Sequence, residues 1–120
     1  MILVILDYGS GNLKSVYNSI WRAVKDNNLN HKIIVSNKVN DIKRGDYIIL
    51  PGVGSYANCM THLVDKPGLL EHLEDFVLYK KKPFLGICVG MQLFANKSLE
   101  KGTHKGLGWI EGEILKLPSK

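Results

Sequence analysis

The sequence predicts an α/β fold in which a parallel β-sheet is covered by helices on both faces. Short apolar runs alternate along the chain with longer amphipathic segments. The apolar runs are continuous, which is typical of strands that are buried on both faces of a parallel sheet. A chain of 120 residues is enough for one domain, and we therefore expect a single domain over residues 1–120.

The four predicted strands share short length and a high content of β-branched or aromatic residues. They cover Met1–Asp7, Lys32–Ser36, Tyr47–Leu50 and Phe84–Ile87. The third is ended by the turn residues Pro51 and Gly52. A further strand is expected shortly before the terminal segment Lys116–Lys120.

The segment Leu13–Asn27 shows the apolar spacing of an amphipathic helix. The residues that recur at this spacing are Leu13, Val16, Tyr17, Ile20 and Val24. Ser10 or Asn12 is available as the N-cap of this helix, because either side chain can accept a hydrogen bond from a first-turn amide.

Three more helices are expected. Leu69–Lys80 repeats the helical period after a Lys-Pro-Gly break, and Val89–Asn96 begins immediately behind the fourth strand. A short helix is expected after the loop that contains Val53, whereas the lysine-rich stretch 97–105 is expected to be a loop.

Composition and charge narrow the possible functions. The chain has 16 basic and 11 acidic residues, but its only basic run, Lys80–Lys82, lacks the interleaved aromatic residues of a base-stacking surface. We therefore expect a solvated basic face and no nucleic-acid binding, with steering of an anionic ligand or partner as the alternative.

The apolar runs are too short to span a membrane, and no export signal is visible, so a cytoplasmic protein is expected.

Three glycine-rich segments follow predicted strands. They are Asp7–Asn12, Pro51–Tyr56 and Gly86–Gly90. In a parallel sheet all three would lie at the carboxyl edge, which is where such sheets bind ligands. The sequence therefore predicts one site that is built from three loops.

Cys88 is the predicted nucleophile of this site. Gly86-Ile87-Cys88-Val89-Gly90 has the form of the G-x-S-x-G nucleophile elbow, with cysteine in the serine position. The glycines avoid collisions in a sharp strand-to-helix turn, and a helix N-terminus behind the cysteine favours its thiolate. A buried, unreactive cysteine is the less favoured alternative. No CxxC or Cys/His cluster is present, so neither a metal site nor a structural disulfide is expected.

The N–H groups of Val53 and Val89 are candidate oxyanion donors. A thiolate that attacks an amide carbonyl creates an oxyanion, and a preorganised donor is worth about 3–4 kcal/mol. The alternative for Pro51–Gly54 is a plain turn. Asp7–Asn12 begins like a dinucleotide fingerprint but has Lys14 at the third glycine position, so a tight turn at a site or interface is favoured over nucleotide binding.

No convincing general base accompanies the cysteine. The four histidines are His31, His62, His72 and His104. His72-Leu73-Glu74 has the form H-x-E, but residues two apart on a helix differ by about 200° around its axis, so both are expected on the helix surface. Cys59 is expected to be a packed thiol.

Together these segments resemble the class I glutamine amidotransferases, which have a flavodoxin-like parallel sheet with helices on both faces. The matching stretches are Asp7–Leu13, Leu50–Tyr56, Gly86–Leu93 and Gly106–Gly112. Pro-Gly-Val-Gly at 51–54, where other members usually have Pro-Gly-Gly, narrows the resemblance to the branch that works in histidine biosynthesis. The resemblance covers essentially the whole chain.

The resemblance implies a glutaminase whose Cys88 forms a glutamyl thioester and releases ammonia from L-glutamine. Val53 and Val89 would offer oxyanion donors, and Gly52, Gly54 and Gln92 would help to hold glutamine. The ammonia would pass to a (β/α)₈-barrel synthase (cyclase) subunit in a heterodimer, for formation of imidazole glycerol phosphate. No metal or organic cofactor is implied.

The resemblance also implies a departure. The base histidine and its orienting glutamate form a strand-borne H-x-E downstream of the cysteine in the family, and this chain has no such pair. We therefore expect a C-terminally truncated domain that is inactive alone. The remaining alternatives are another class I amidotransferase, a non-catalytic docking module of the same fold, and a nucleotide-binding flavodoxin-like domain.

Overall fold

A computed structural model describes residues 1–118, so that Ser119 and Lys120 of the terminal segment lie outside the described part. Its main sheet has four parallel strands in the order β2-β1-β3-β4. The strands are β1 (Ile2–Leu6), β2 (Lys32–Ser36), β3 (Tyr47–Leu50) and β4 (Phe84–Gly86). The predicted parallel sheet is confirmed: the central strands β1 and β3 are largely buried, whereas the outer strands β2 and β4 keep the exposed side chains Val35 and Leu85.

Helices lie on both faces of this sheet. They are α1 (Leu13–Asp26), α2 (Val39–Arg44), α3 (Tyr56–Asp65), α4 (Leu69–Glu74) and α5 (Val89–Gln92). The short helix α2 was not predicted, since within it only Ile42 is fully buried. Of the two candidate N-caps of α1, Asn12 is the one used: its Oδ1 accepts from the Ser15 N–H at 3.3 Å.

One face of the sheet carries the main core. Val4, Leu6, Ile48 and Leu50 point to this side and pack with buried residues of α2, α3 and α4. The opposite face carries the row Val35–Ile5–Ile49–Leu85, whose members are register partners across the four strands. Helix α1 packs against β1 and β2 on that side.

Two predicted helices depart from the sequence pattern: Leu69–Lys80 stays helical to Tyr79 but changes its helix type, and Val89–Asn96 ends early. After α4 the chain widens into a π-helical turn over Asp75–Tyr79, in which the Lys80 N–H donates to the Asp75 carbonyl at 2.9 Å. This turn still buries Phe76 in the core.

Helix α5 stops at Gln92 rather than at Asn96. The carbonyls of Leu93, Phe94 and Ala95, which would continue it, instead accept from the amides of Leu107, Ile110 and Gly108. This long-range pairing gives two hydrogen bonds within 2.9 Å and one at 3.0 Å, so tertiary contacts override the local helical pattern.

The lysine-rich stretch is not a plain loop. Strand β5 (Lys97–Ser98) pairs antiparallel with β6 (His104–Lys105) and parallel with β7 (Glu113–Ile114). Strand β7 is the strand that was expected before Lys116. No helix within residues 1–118 has the length and apolar character needed to cross a membrane.

Candidate functional site

Cys88 lies between β4 and α5 in a strained backbone conformation. Its φ of 57° and ψ of −124° belong to a region of backbone conformation that residues other than glycine rarely adopt. Holding a residue there costs about 1–3 kcal/mol of folding free energy. The thiol is free and exposed. A strained, exposed cysteine at a strand-to-helix turn is the geometry expected of a nucleophile elbow.

The two glycines of the elbow are needed for steric reasons. A Cβ atom at Gly90 would lie 2.1 Å from the Leu50 carbonyl oxygen, and one at Gly86 would lie 2.7 Å from the Met91 Cα. Both obstacles are backbone atoms, which a rotamer change does not move. The elbow therefore packs directly against the end of β3.

Three loops converge at this point, as the sequence predicts. The Ile87 N–H donates to the Leu50 carbonyl at 2.9 Å, joining the elbow to the last residue of β3, directly before the Pro51–Gly54 loop. The Tyr8 hydroxyl donates to the Pro51 carbonyl at 2.5 Å, joining the Asp7–Asn12 loop to the same turn. Gly52 lies so close that a Cβ atom there would be 2.6 Å from the Gly90 nitrogen.

Tyr8 is a fully buried part of this junction that sequence reasoning missed. Burial is the main cause that raises the pKa of its phenol, and the nearby Cys59 raises it further. The hydroxyl therefore stays protonated and able to donate at neutral pH. Its only sequence signal is position, since Tyr8 follows a buried strand directly.

The Val53 peptide is held by side chains from two other segments. Its N–H faces the Ser10 Oγ at 3.4 Å, and its carbonyl accepts from the Ser10 Oγ at 3.2 Å and from the Cys59 Sγ at 3.4 Å. Cys59 is buried, in agreement with the packed thiol expected from the sequence. Ser10, one of the two candidate caps of α1 and part of the Asp7–Asn12 segment expected at the site, contacts the loop that contains Val53.

A cavity of about 410 Å³ lies beside the elbow helix and contains two of the predicted substrate-binding residues. Its lining consists of Gly54, Ser55, Tyr56, Ala57, Gln92, Glu100, Lys101 and His104. The structure therefore brings Gly54, from the loop after β3, together with Gln92, from helix α5. It also adds the acidic Glu100 and the basic Lys101, which no sequence motif identified because both belong to an ordinary polar turn.

Two of the four histidines contact backbone carbonyls rather than Cys88. His72 lies on α4, as expected, with its Nδ1 2.7 Å from the Gly68 carbonyl, and the His104 Nε2 lies 2.9 Å from the Lys101 carbonyl. No histidine hydrogen-bonds to Cys88 anywhere in residues 1–118. Over the same residues, no cluster of three or more histidine, cysteine or acidic side chains could hold a metal ion.

Known proteins resemble this chain along nearly its whole length. The "Imidazole glycerol phosphate synthase subunit HisH" of Rhodospirillum rubrum is 44% identical over 114 residues, which are 95% of this chain and 53% of that protein. The proteins of the same name from Brucella abortus and Agrobacterium fabrum are 46% and 44% identical, over 95% and 98% of this chain. The chain spans about half the length of these curated relatives.

A protein-family model also matches most of the chain, including the nucleophile elbow. The model of the SNO glutamine amidotransferase family matches residues 10–115, which include the Pro51–Gly54 loop, Cys88 and the residues that line the cavity. This match covers most of the chain. The chain therefore belongs to the SNO glutamine amidotransferase family.

Proposed function

We propose that this chain carries the nucleophile part of a glutaminase and that Cys88 is the attacking group. The observation that carries the proposal is the strained backbone of Cys88, which presents an exposed thiol at the start of α5, the helix whose Gln92 lines the cavity. A packing or docking role gives no reason to retain such strain at a cysteine. The names of the HisH relatives support an ammonia-supplying role in histidine biosynthesis.

The proposed reaction proceeds in two steps. The Cys88 thiolate attacks the side-chain amide carbon of glutamine, and the C–N bond breaks as the nitrogen takes up a proton and leaves as ammonia. Water then adds to the glutamyl thioester, and the C–S bond breaks to release glutamate and the thiol. The base histidine and orienting glutamate that the family resemblance implies are absent from the contacts of Cys88 in residues 1–118.

The oxyanion of each step would be stabilised by two backbone amides. The Val89 N–H is in the first turn of α5, where amides have no partner within the helix. The Val53 N–H faces the Ser10 hydroxyl instead of the elbow. We propose that Val53 contributes its donor only after this contact is exchanged for the substrate oxygen.

The cavity beside α5 is the proposed glutamine site. Glutamine carries an α-ammonium and an α-carboxylate, and the lining supplies Glu100 and Lys101 as groups of opposite charge. We propose that Glu100 binds the ammonium and that Lys101 binds the carboxylate. Gly52, Gly54 and Gln92 would hold the rest of the molecule, in keeping with the resemblance.

The proposed partner is a (β/α)₈-barrel synthase subunit that receives the ammonia for imidazole glycerol phosphate formation. The pair would form a heterodimer in the cytoplasm and would combine hydrolase with lyase chemistry. The Asp7–Asn12 loop is the proposed contact surface, because Tyr8 and Ser10 join it directly to the Pro51–Gly54 loop. Residues 1–120 would form part of a single glutamine amidotransferase type 1 domain.

A chloroketone analogue of L-glutamine tests the nucleophile without requiring the missing base. Intact mass and peptide mapping should show one adduct, located on Cys88, and excess L-glutamine should slow its formation. Cys59→Ser should label normally, whereas Cys88→Ser should not label. Glu100→Gln should weaken protection by L-glutamine at least about tenfold, because a charged contact to the ammonium is lost.

The alternatives give different results in the same experiment. In a docking module with an unreactive thiol, the glutamine analogue would label Cys88 no faster than a simple chloroketone of equal size does. L-Glutamine would then give no protection against labelling. A nucleotide-binding domain would be protected by nucleotide or flavin instead. Either outcome would contradict the proposed function.

A further inference from the structure

A cleft of about 310 Å³ lies between α1 and β2. Tyr17 and Trp21 of α1 line one side of it, and Ile33 of β2 lines the other. Trp21 is 48% exposed although it is a large aromatic residue, and the Lys25 Nζ lies over its ring, 5.7 Å from the ring centre. No residue lines both this cleft and the glutamine cavity, so the two are separate.

Strand β2 forms one border of the main sheet. Within residues 1–118 it pairs with β1 alone. In flavodoxin-like sheets the strand order is 2-1-3-4-5, so a further parallel strand joins beside β4 and leaves β2 at the border. The outer edge of β2 is therefore a lateral edge of this fold.

The outer edge of β2 offers backbone hydrogen-bonding groups next to the cleft. The Lys32 N–H donates to the Met1 carbonyl at 2.9 Å, on the side of β1. Alternate residues of a strand direct their backbone groups to the same edge, so the N–H and C=O groups of Ile33 and Val35 face outward. The Val35 side chain lies on the α1 face of the sheet and is 40% exposed.

The net positive charge of the chain is confined to the segment that surrounds this edge. Residues 13–44, which contain α1, β2 and α2, carry seven basic and two acidic side chains. The other residues carry nine of each sign, so they contribute no net charge. A basic border of this kind repels a second copy of the chain and attracts an acidic partner.

We infer that the β2 edge is a docking site for an acidic peptide segment of another protein, which adds to the sheet as an extended strand. The peptide backbone would pair with Ile33 and Val35, and its apolar side chains would contact Trp21. Its carboxylates would lie near Lys25 and Lys32, which both line the cleft. Strand addition combines backbone hydrogen bonds, which give affinity, with side-chain contacts, which give specificity. The inference does not depend on the proposed glutaminase activity.

Other occupants match this edge less well. A second copy would bring the same basic segment against it, and lysines on border strands are a known protection against such pairing. A nucleic acid would suit the charge and the exposed ring of Trp21. Its sugar–phosphate backbone, however, has no regularly spaced N–H donors for the outward carbonyls of β2. An acidic peptide matches both the charge and the backbone groups.

The test titrates the whole 120-residue chain into a fluorescein-labelled peptide of about ten alternating valine and glutamate residues. Fluorescence anisotropy should show one-to-one binding. The double variant Lys25→Glu/Lys32→Glu should bind at least about tenfold more weakly, because two attractions become repulsions. With unlabelled peptide, the tryptophan emission should shift to shorter wavelength as Trp21 is covered, and Trp21→Phe should abolish this shift.

The double variant Lys105→Glu/Lys116→Glu is the matched control. It makes the same change in net charge at two exposed lysines outside the basic segment, so the affinity should stay unchanged. Circular dichroism should show that both double variants stay folded, since all four lysines are exposed. A second peptide, with two central valines replaced by proline, keeps the charge but loses N–H donors and should bind at least about tenfold more weakly.

Four results would overturn the inference. They are absence of binding at peptide concentrations up to about 1 mM, equal affinity of the two double variants, equal affinity of the proline peptide, and tighter binding of an oligothymidylate of similar length that Lys25→Glu/Lys32→Glu abolishes. The last result would identify a nucleic-acid surface instead. None of them bears on the labelling of Cys88, because the two sites share no lining residue.

Discussion

Replacing Cys88 by glycine should stabilise the fold relative to replacing it by alanine. Cys88 has a φ of 57° and a ψ of −124°, and alanine retains the Cβ atom that makes this conformation unfavourable. Relief of that strain is worth about 1–3 kcal/mol. Glycine loses about 0.4–1 kcal/mol through the greater freedom of the unfolded chain. The glycine variant should therefore be more stable by about 1 kcal/mol.

The comparison between the two variants isolates the backbone, because both remove the thiol. Met91 provides the matched control, since it is an exposed residue with ordinary helical geometry in α5. There, glycine should be less stable than alanine by about 1 kcal/mol. The order of stability should thus reverse between two positions only three residues apart.

Urea unfolding followed by tryptophan fluorescence measures this difference. Trp109 packs against Phe94 and Phe84 next to the elbow, so its emission should report the loss of native packing. With a slope of about 1–2 kcal/mol per molar urea, the two Cys88 variants should differ in midpoint by about 0.5–1 M. If alanine is the more stable residue at both positions, the backbone of Cys88 stores no strain and the argument for a nucleophile elbow fails.

Three further predictions concern the stability of the loop junction and the activity of the chain. Gly90→Ala should lower the free energy of unfolding by about 2–4 kcal/mol in the same urea assay, because its Cβ would collide with a β3 carbonyl and break the hydrogen bond there; an unchanged midpoint would refute this packing. Tyr8→Phe should cost about 1–3 kcal/mol at pH 7 by leaving a buried carbonyl unpaired. Because burial raises the pKa of Tyr8 above its ordinary 10.0, its contribution is fully present below pH 10 and is lost as the pH rises above that value. The gap between wild type and Tyr8→Phe should therefore shrink at high pH. As a control at pH 7, Tyr79→Phe should leave the free energy of unfolding unchanged, because Tyr79 is 79% exposed. Finally, a coupled glutamate assay should detect no Cys88-dependent hydrolysis of glutamine to glutamate by these 120 residues; turnover abolished by His104→Ala would show that the cavity contains its own base.

Several features of the fold were predictable because they are local. The strands Lys32–Ser36 and Tyr47–Leu50 have the predicted bounds, since each is an apolar run that a turn residue or charge interrupts. The elbow at Cys88 was also predictable, because the need for small neighbours leaves glycines in the sequence. The early end of α5 was not predictable, because the carbonyls of Leu93–Ala95, directly after it, pair with amides of residues 107–110 that lie farther along the chain.

Some features of the candidate site were likewise predictable from the sequence, and others were not. The sequence by itself determined the fold class, the position of Cys88 and the three loops around it, since strand periodicity and glycine spacing are written in neighbouring residues. Only the tertiary structure decided which side chains meet there: Tyr8 on the Pro51 carbonyl, Ser10 on the Val53 peptide, and Glu100 in the cavity with Gln92. The first two contacts join loops that the parallel sheet brings to one edge, whereas Glu100 comes from the turn between β5 and β6 of the second sheet. Neither residue type nor spacing along the chain encodes which of these side chains meet.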